Sequence, residues 1–482
     1  MKKFLNFFKN NQRIIFIVWV ILLAFFLRVF RLPDFISYHQ DQVRDLFYVQ
    51  NHFQQGQMIL LGPKASVGDF FLPPFWYYIM GFAYLFSSSP LAPAFAVVLF
   101  GSLTTLLIYL FCEKFFDKKV AIFSSLLYAV SPLSIEYSRF AWNPNPIPFF
   151  TMATFYFLYI YIHKHKQKNY GLILGAITAN LALQLHYQGM VVLAFFFLAL
   201  IISKKLSIKQ FIKLIIINLI LFLPFFIHEF GHRFENTKGI LDFLFKTQSG
   251  STLKIFGIPF FIKFILRDFS AFIGSTIFFK NQILGFTGLI ILGFSLVFVK
   301  SKAPSTRLLK FFLIFSFIML FFYKNSLINF YLLFLIPVII IYLTIIINNF
   351  FPERITNLIF FLVILLNLYF SPTFVKNNSA YVAIKNAVDI IAKNEKYCPS
   401  YRIFDQNYIK SKYQYLFFIN KNKPVNFNCD LTTYLQSNPK VKNSFYVCEA
   451  PLCPYEFVNF SQFREINQKP FDTGVRIYQL IK

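Results

Sequence analysis

Between Tyr38 and Asp45 the chain reads Tyr-His-Gln-Asp-Gln-Val-Arg-Asp, placing two carboxylates and a guanidinium within five residues. Asp41 and Asp45 are four apart, so on a helix they share one face, with Arg44 beside them. A carboxylate in such a cluster can take a proton from a hydroxyl, and an arginine can grip a phosphate through two parallel N–H groups. The same residues also suit a duller arrangement, a capping aspartate with a solvated ion pair.

Further polar residues stand at the edges of long apolar runs, where they are costly and therefore informative. Asp69 follows Gly68, either as a turn or as a second carboxylate reaching toward Asp41. Arg139, beside Trp142 and Asn143, can meet a phosphate or simply extend toward lipid headgroups. Gln184, His186 and Gln188 put three hydrogen-bonding side chains at one helix end, a pattern suited to sugar or phosphate contacts. Glu229 and Arg233 have the i, i+4 spacing of an ion pair, either solvated or turned toward a substrate.

These residues are spaced by elements that only a bilayer explains. The 482 residues are 57% hydrophobic and 14% charged, too few polar groups to cover a soluble protein. Mean hydropathy is +0.57. Apolar runs at about 14–30, 91–112, 120–134, 147–162, 170–185, 190–202, 211–227, 283–299, 311–322, 330–347 and 356–370 predict about eleven membrane helices. Trp76 to Phe86 is apolar but too short to span and is expected along the interface or re-entrant. Lys and Arg gather in alternate connections, among them Lys114, Lys118, Lys119, Lys164, Lys204 and Lys300. By the positive-inside rule this puts the N-terminus in the cytoplasm and the polar cluster on the opposite side. A formal charge of +27 then reflects topology, and nucleic acid is not an expected partner.

The reading is a polytopic α-helical membrane domain, residues 1–371, with outer loops at 31–74 and 228–282. An extracytoplasmic α/β domain of residues 372–482 follows. Within that domain 380–393 is expected as an amphipathic helix, and 401–404 and 445–448 as strands. Cys398, Cys429, Cys448 and Cys453 could form two disulfides in three possible pairings; none makes a CxxC metal pair.

The stretch from Met1 to about Phe370 resembles the polytopic GT-C glycosyltransferases of family 39, which include protein O-mannosyltransferases and bacterial relatives that glycosylate lipid A. The resemblance rests on Asp41 after the first helix, Gly62-Pro63, Gly68-Asp69, and Pro73-Pro74-Phe75-Trp76-Tyr77-Tyr78. It continues through Ser138-Arg139-Phe140-Ala141-Trp142-Asn143-Pro144, Gln184-Leu185-His186-Tyr187, and Asn329-Phe330-Tyr331 with Pro337.

The resemblance implies a membrane enzyme that transfers a sugar from a polyprenyl-phosphate donor to a glycan, lipid or protein hydroxyl, with Asp41 as general base. Arg44, Asp45, Asp69, Arg139, Asn143, Gln184, His186, Gln188, Glu229 and Arg233 are the expected donor- and acceptor-binding residues, and membrane lipids the other partners. Gln42 stands where many members carry a second acid, and Leu72 where many carry His before the paired prolines. The residues call for no cofactor and leave a divalent metal ion open. Two rivals share the pattern: an enzyme transferring a whole lipid-linked oligosaccharide, and a lipid or solute transporter. A transporter is expected to show paired halves and midplane charges, and here the polar residues gather at one face.

Overall fold

The computed structural model describes residues 11–36, 40–65, 68–163, 169–245, 262, 264–299, 303–321, 329–375, 385, 445–449, 463–465 and 475–480. The chain divides into two compact units, Met1–Phe30 with Gln57–Phe374, and Arg31–Gly56 with Val375–Lys482.

In the first unit, α1 spans Gln12–Val29, α4 Phe75–Tyr84, α5 Ala92–Phe115, α6 Lys118–Val130 and α7 Pro132–Tyr137. They are followed by α8 Ile147–His163, α9 Asn169–Leu185, α10 Gly189–Ile202, α11 Ile208–Leu221, α12 Leu223–Gly231 and α13 Glu235–Phe245. A π-helical turn at Phe264–Phe269 leads into α14, Ser270–Ile277. The remaining helices are α15 Gln282–Phe298, α16 Pro304–Phe321, α17 Ile336–Phe350 and α18 Glu353–Tyr369. Every expected apolar run thus coincides with a helix or a helix pair. The short run after the paired prolines is helical as well.

The number of crossings differs from the eleven expected. Among the described residues five helices are long and apolar enough to span a membrane, or seven if two bent pairs each count once. Part of the shortfall is length, since α8, α9 and α10 have 17, 17 and 14 residues, and part is proline, which lacks the N–H that continues a helix. The run expected at 120–134 breaks before Pro132, which starts α7. The run at 211–227 bends by 63° between α11 and α12, with Pro224 in the first turn of the latter. The second bent pair turns by 101° between Ile277 and Gln282, where Phe279 and Lys280 adopt positive φ.

Packing explains which helix sits at the centre. α17 is apolar all round and buried along most of its length, as a helix enclosed by others must be. On α1, Val20 and Ala24 pack against Ala129 of α6, and Leu27 packs against Val130 and Ile135.

The two ends of this bundle are chemically distinct. At one end Arg13 pairs with Glu113 at 2.7 Å, and Lys119 with Glu353 at 3.6 Å. At the other, the carbonyl of Phe30 accepts from Arg139, and that of Leu27 from Thr373.

The second unit holds α2, Leu32–Phe35, and α3, Gln40–Gln54. Near the C-terminus, β1 Phe445–Glu449, β2 Phe463–Glu465 and β3 Val475–Leu480 form an antiparallel sheet in the order β1-β3-β2. Phe445 pairs with Gln479, and Phe463 with Leu480. A strand therefore lies where 445–448 was expected. The helix expected at 380–393 (Lys385 excepted), the strand at 401–404 and Cys398, Cys429 and Cys453 lie outside the described residues.

Candidate active site

Asp41 opens α3, and the helical spacing does what was expected of it. Arg44 Nη1 lies 3.0 Å from Asp41 Oδ1, and Arg44 Nη2 lies 2.8 Å from Asp45 Oδ1. Its Nε donates to the same Asp45 oxygen at 2.9 Å. The Asp45 side chain is 1% exposed, whereas that of Asp41 is 35% exposed. A buried carboxylate thus anchors the guanidinium, which in turn holds a carboxylate that is partly exposed. Arg44 was expected at a phosphate; its ion pairs instead tie it first to the two acids.

In the bundle, three of the family-like sequence pieces come together at the end bearing Phe30. The turns after α7 are set by main-chain bonds from Asn145 to Trp142 and from Ile147 to Pro144. Asn143 Nδ2 donates to the carbonyl of Leu185 at 2.7 Å, joining these turns to the end of α9. Trp142 meets Phe330 edge-on at 4.6 Å. His186 meets the rings of Phe330 and Tyr331 at 6.0 and 5.6 Å. Gln184 Nε2 donates to the carbonyl of Leu221, tying α9 to the end of α11. Arg139, 2% exposed, donates to the carbonyls of Phe30 at 2.6 Å and Pro372 at 3.4 Å. Its guanidinium therefore joins the end of the first helix to the end of the last.

The loop before α4 folds into a hairpin. Leu72 N–H donates to Pro63, Gly62 N–H to Leu72, and Ala65 N–H to Phe70. Gly68 turns the chain with φ +89, a conformation that glycine adopts without strain. Asp69 sits in that turn with its side chain 87% exposed, paired to Lys64 at 2.7 Å. The hairpin docks on α13 through Asn236, which both accepts from and donates to the backbone of Phe71. Tyr187 also donates to the Phe71 carbonyl, at 3.2 Å.

At Gly239 of α13 an added Cβ would run into the carbonyl of Asp69. Gly239→Ala is expected to cost about 1–3 kcal/mol by forcing this backbone contact apart. A lowered thermal midpoint of the purified protein would register it, and an unchanged midpoint would contradict the docking.

Glu229 and Arg233 do not form the expected i, i+4 pair. The helix ends at Gly231, and Arg233 takes φ 53, so the spacing rule no longer applies. Glu229, 1% exposed, instead accepts at Oε2 from the N–H of Thr237 at 2.8 Å and from its hydroxyl. It caps α13 from outside, where the helix dipole favours a negative charge.

Among the expected residues, then, Asp41, Arg44 and Asp45 are joined on α3. Asn143, Gln184, His186 and Gln188 lie with Arg139 at one end of the bundle. Asp69 and Arg233 face outward.

Arg28, Asn236 and Thr237 were not singled out beforehand. Arg28 is fully buried and donates to Ala24, Ala129, Tyr128 and Ser134. Its position at the end of an apolar run was the available signal. Nothing in the spacing of Asn236 marked it. Among the described residues no three His, Cys, Asp or Glu side chains gather as a metal site.

Burial holds the His186 imidazole down to about 4, so it is neutral at physiological pH. Its Nδ1 accepts from the N–H of Gln188, which fixes the proton on Nε2. The unfolded chain takes up that proton near pH 6.5 and the folded protein only near 4. Stability is therefore expected to fall as pH drops from 6.5 toward 4. His186→Gln should flatten that slope in a pH series of thermal midpoints.

The sequence model of the dolichyl-phosphate-mannose-protein mannosyltransferase family matches residues 72–228. That stretch runs from the end of the hairpin into α12 and includes the Arg139, Asn143 and Gln184–Gln188 segments. No curated protein sequence matches the chain. Among solved structures, ArnT from Cupriavidus metallidurans in the apo state is similar with a TM-score of 0.61 at 11% identity, covering 98% of each chain. The same protein bound to undecaprenyl phosphate gives 0.57 at 11% identity, covering 97% of this chain and 98% of that one. The oligosaccharyltransferase of Archaeoglobus fulgidus gives 0.51 at 14% identity, covering 89% of this chain and 67% of that one. The protein therefore shares the fold of ArnT, and its residues 72–228 match the sequence model of the dolichyl-phosphate-mannose-protein mannosyltransferase family.

Proposed function

We propose that the protein moves a sugar from a polyprenyl-phosphate carrier to an acceptor hydroxyl on the extracytoplasmic side of the membrane. Asp41 removes the proton of that hydroxyl. The acceptor oxygen then attacks the anomeric carbon as the bond from that carbon to the phosphate oxygen breaks. Polyprenyl phosphate departs, and the configuration at the anomeric carbon inverts. The observation that carries the reading is the Asp41–Arg44–Asp45 array on α3, which holds one carboxylate against a guanidinium and leaves it partly exposed. The similarly folded ArnT bound to undecaprenyl phosphate supports the choice of carrier.

A lipid carrier also fits the chemistry of the location, since a reaction outside the cytoplasm has no nucleotide sugars to draw on. The C-terminal residues 372–482 are proposed to form an extracytoplasmic α/β domain, with β1, β2 and β3 as its sheet. Transfer of a whole oligosaccharide is less well supported, because the oligosaccharyltransferase is the less similar of the two folds. Stereochemistry tests the mechanism. NMR of the product should give an anomeric configuration opposite to that of the donor, and retention would contradict direct displacement.

A further inference from the structure

The mechanism leaves unused two buried polar side chains, Gln188 and Glu229. Gln188, 8% exposed, has neither its amide oxygen nor its amide nitrogen hydrogen-bonded among the described residues. Glu229, 1% exposed, gives Oε2 to Thr237 but leaves Oε1 without a hydrogen bond; His228 Nδ1 is 3.7 Å away. The residue before Gln188 is Tyr187, whose hydroxyl donates to the carbonyl of Phe71. The residue before Thr237 is Asn236, whose Nδ2 donates to the same carbonyl, each at 3.2 Å. The segment that carries Gln188, and the helix α13 that Glu229 caps, are thus pinned to one point of the hairpin.

Buried polar atoms are paired in the great majority of proteins, and those left over need a reason. The chemistry of this pair narrows what could satisfy them. A carboxylate oxygen accepts only, while a carboxamide both donates and accepts. A phosphate brought to Glu229 Oε1 would face a like charge. A divalent cation would want more oxygen ligands than these two side chains offer. Hydroxyl groups fit, since each can donate to the carboxylate or the amide oxygen and accept from the amide nitrogen.

The geometry points to a subsite in which Gln188 and Glu229 bind hydroxyls of the transferred sugar. This rests on the transfer reaction proposed above and adds the part of the donor that these residues recognise. The hairpin, through Phe71, and α13, through Asn236, hold the two groups in place. The subsite reads the sugar and is indifferent to the carrier.

The test compares binding of polyprenyl phosphate with that of a panel of polyprenyl-phosphate hexoses and pentoses, using purified full-length protein. The wild type should bind one sugar-bearing lipid more tightly than the bare carrier. Gln188→Leu should erase that preference and lower kcat/KM by about 10–100-fold, as expected when a site built for hydroxyls loses a polar group. Its affinity for polyprenyl phosphate should stay the same. The variant removes an unsatisfied buried amide, so its thermal midpoint should hold or rise. Glu229→Gln, which keeps an acceptor for Thr237, provides a second variant with the same expected loss of preference. Turnover and sugar preference unchanged in both variants would overturn the subsite while leaving the transfer reaction intact. A wild type that turns over no member of the panel would overturn both.

Discussion

Replacing Asp41 by Asn is expected to lower sugar transfer by about 10²–10⁴-fold, the usual worth of a positioned general base. Folding should survive. The Asp41–Arg44 pair is more than one-third exposed on both sides, and such pairs contribute about 0–1 kcal/mol. Asn keeps the shape of the side chain and an oxygen that can still accept from Arg44. What it loses is the lone-pair basicity needed to take a proton. The variant should therefore keep the wild-type thermal midpoint and bind polyprenyl phosphate normally. Turnover within threefold or so of the wild type would remove Asp41 from the reaction.

Arg139→Ala is expected to fail in a different way. Its guanidinium joins the carbonyls of Phe30 and Pro372, so truncation leaves two acceptors at the ends of the first and last helices without their donors. A buried acceptor left alone costs about 1–3 kcal/mol, so the two together should cost roughly 2–6 kcal/mol. Thermal unfolding in detergent should show a large drop, and the yield of folded protein should fall with it. Arg139→Lys should recover only part, because one ammonium cannot reproduce the planar fork that spans both carbonyls. An Arg139→Ala protein of normal stability that no longer bound polyprenyl phosphate would instead make this residue a phosphate ligand.

The helices were legible because apolar length and charge punctuation speak directly of the bilayer. Ile147–Ile162 was expected and Ile147–His163 is helical. The breaks at Pro132 and Pro224 were written in the sequence too, since proline interrupts the ladder. They were passed over because the apolar run continues through them.

The cluster on α3 was readable from spacing alone, as both acids and the arginine lie within one helical turn of each other. Spacing misled at Glu229 and Arg233, where the i, i+4 rule assumes a helix that in fact stops at Gly231. The role of Arg139 was hidden for another reason. A guanidinium satisfied by main-chain carbonyls has partners that carry no side-chain signature, and those at Phe30 and Pro372 lie far from it in sequence. Asn236 was missed for the same reason, since what it binds is the backbone of Phe71.

The most direct measurement incubates purified protein, reconstituted in vesicles, with a panel of polyprenyl-phosphate sugars and a mixed glycan, lipid and peptide acceptor pool. The assay follows both halves of the reaction. The account predicts that one donor is consumed, with one polyprenyl phosphate released for each sugar that appears on an acceptor. Vesicles that moved lipid or solute across the bilayer while every donor stayed intact would contradict it.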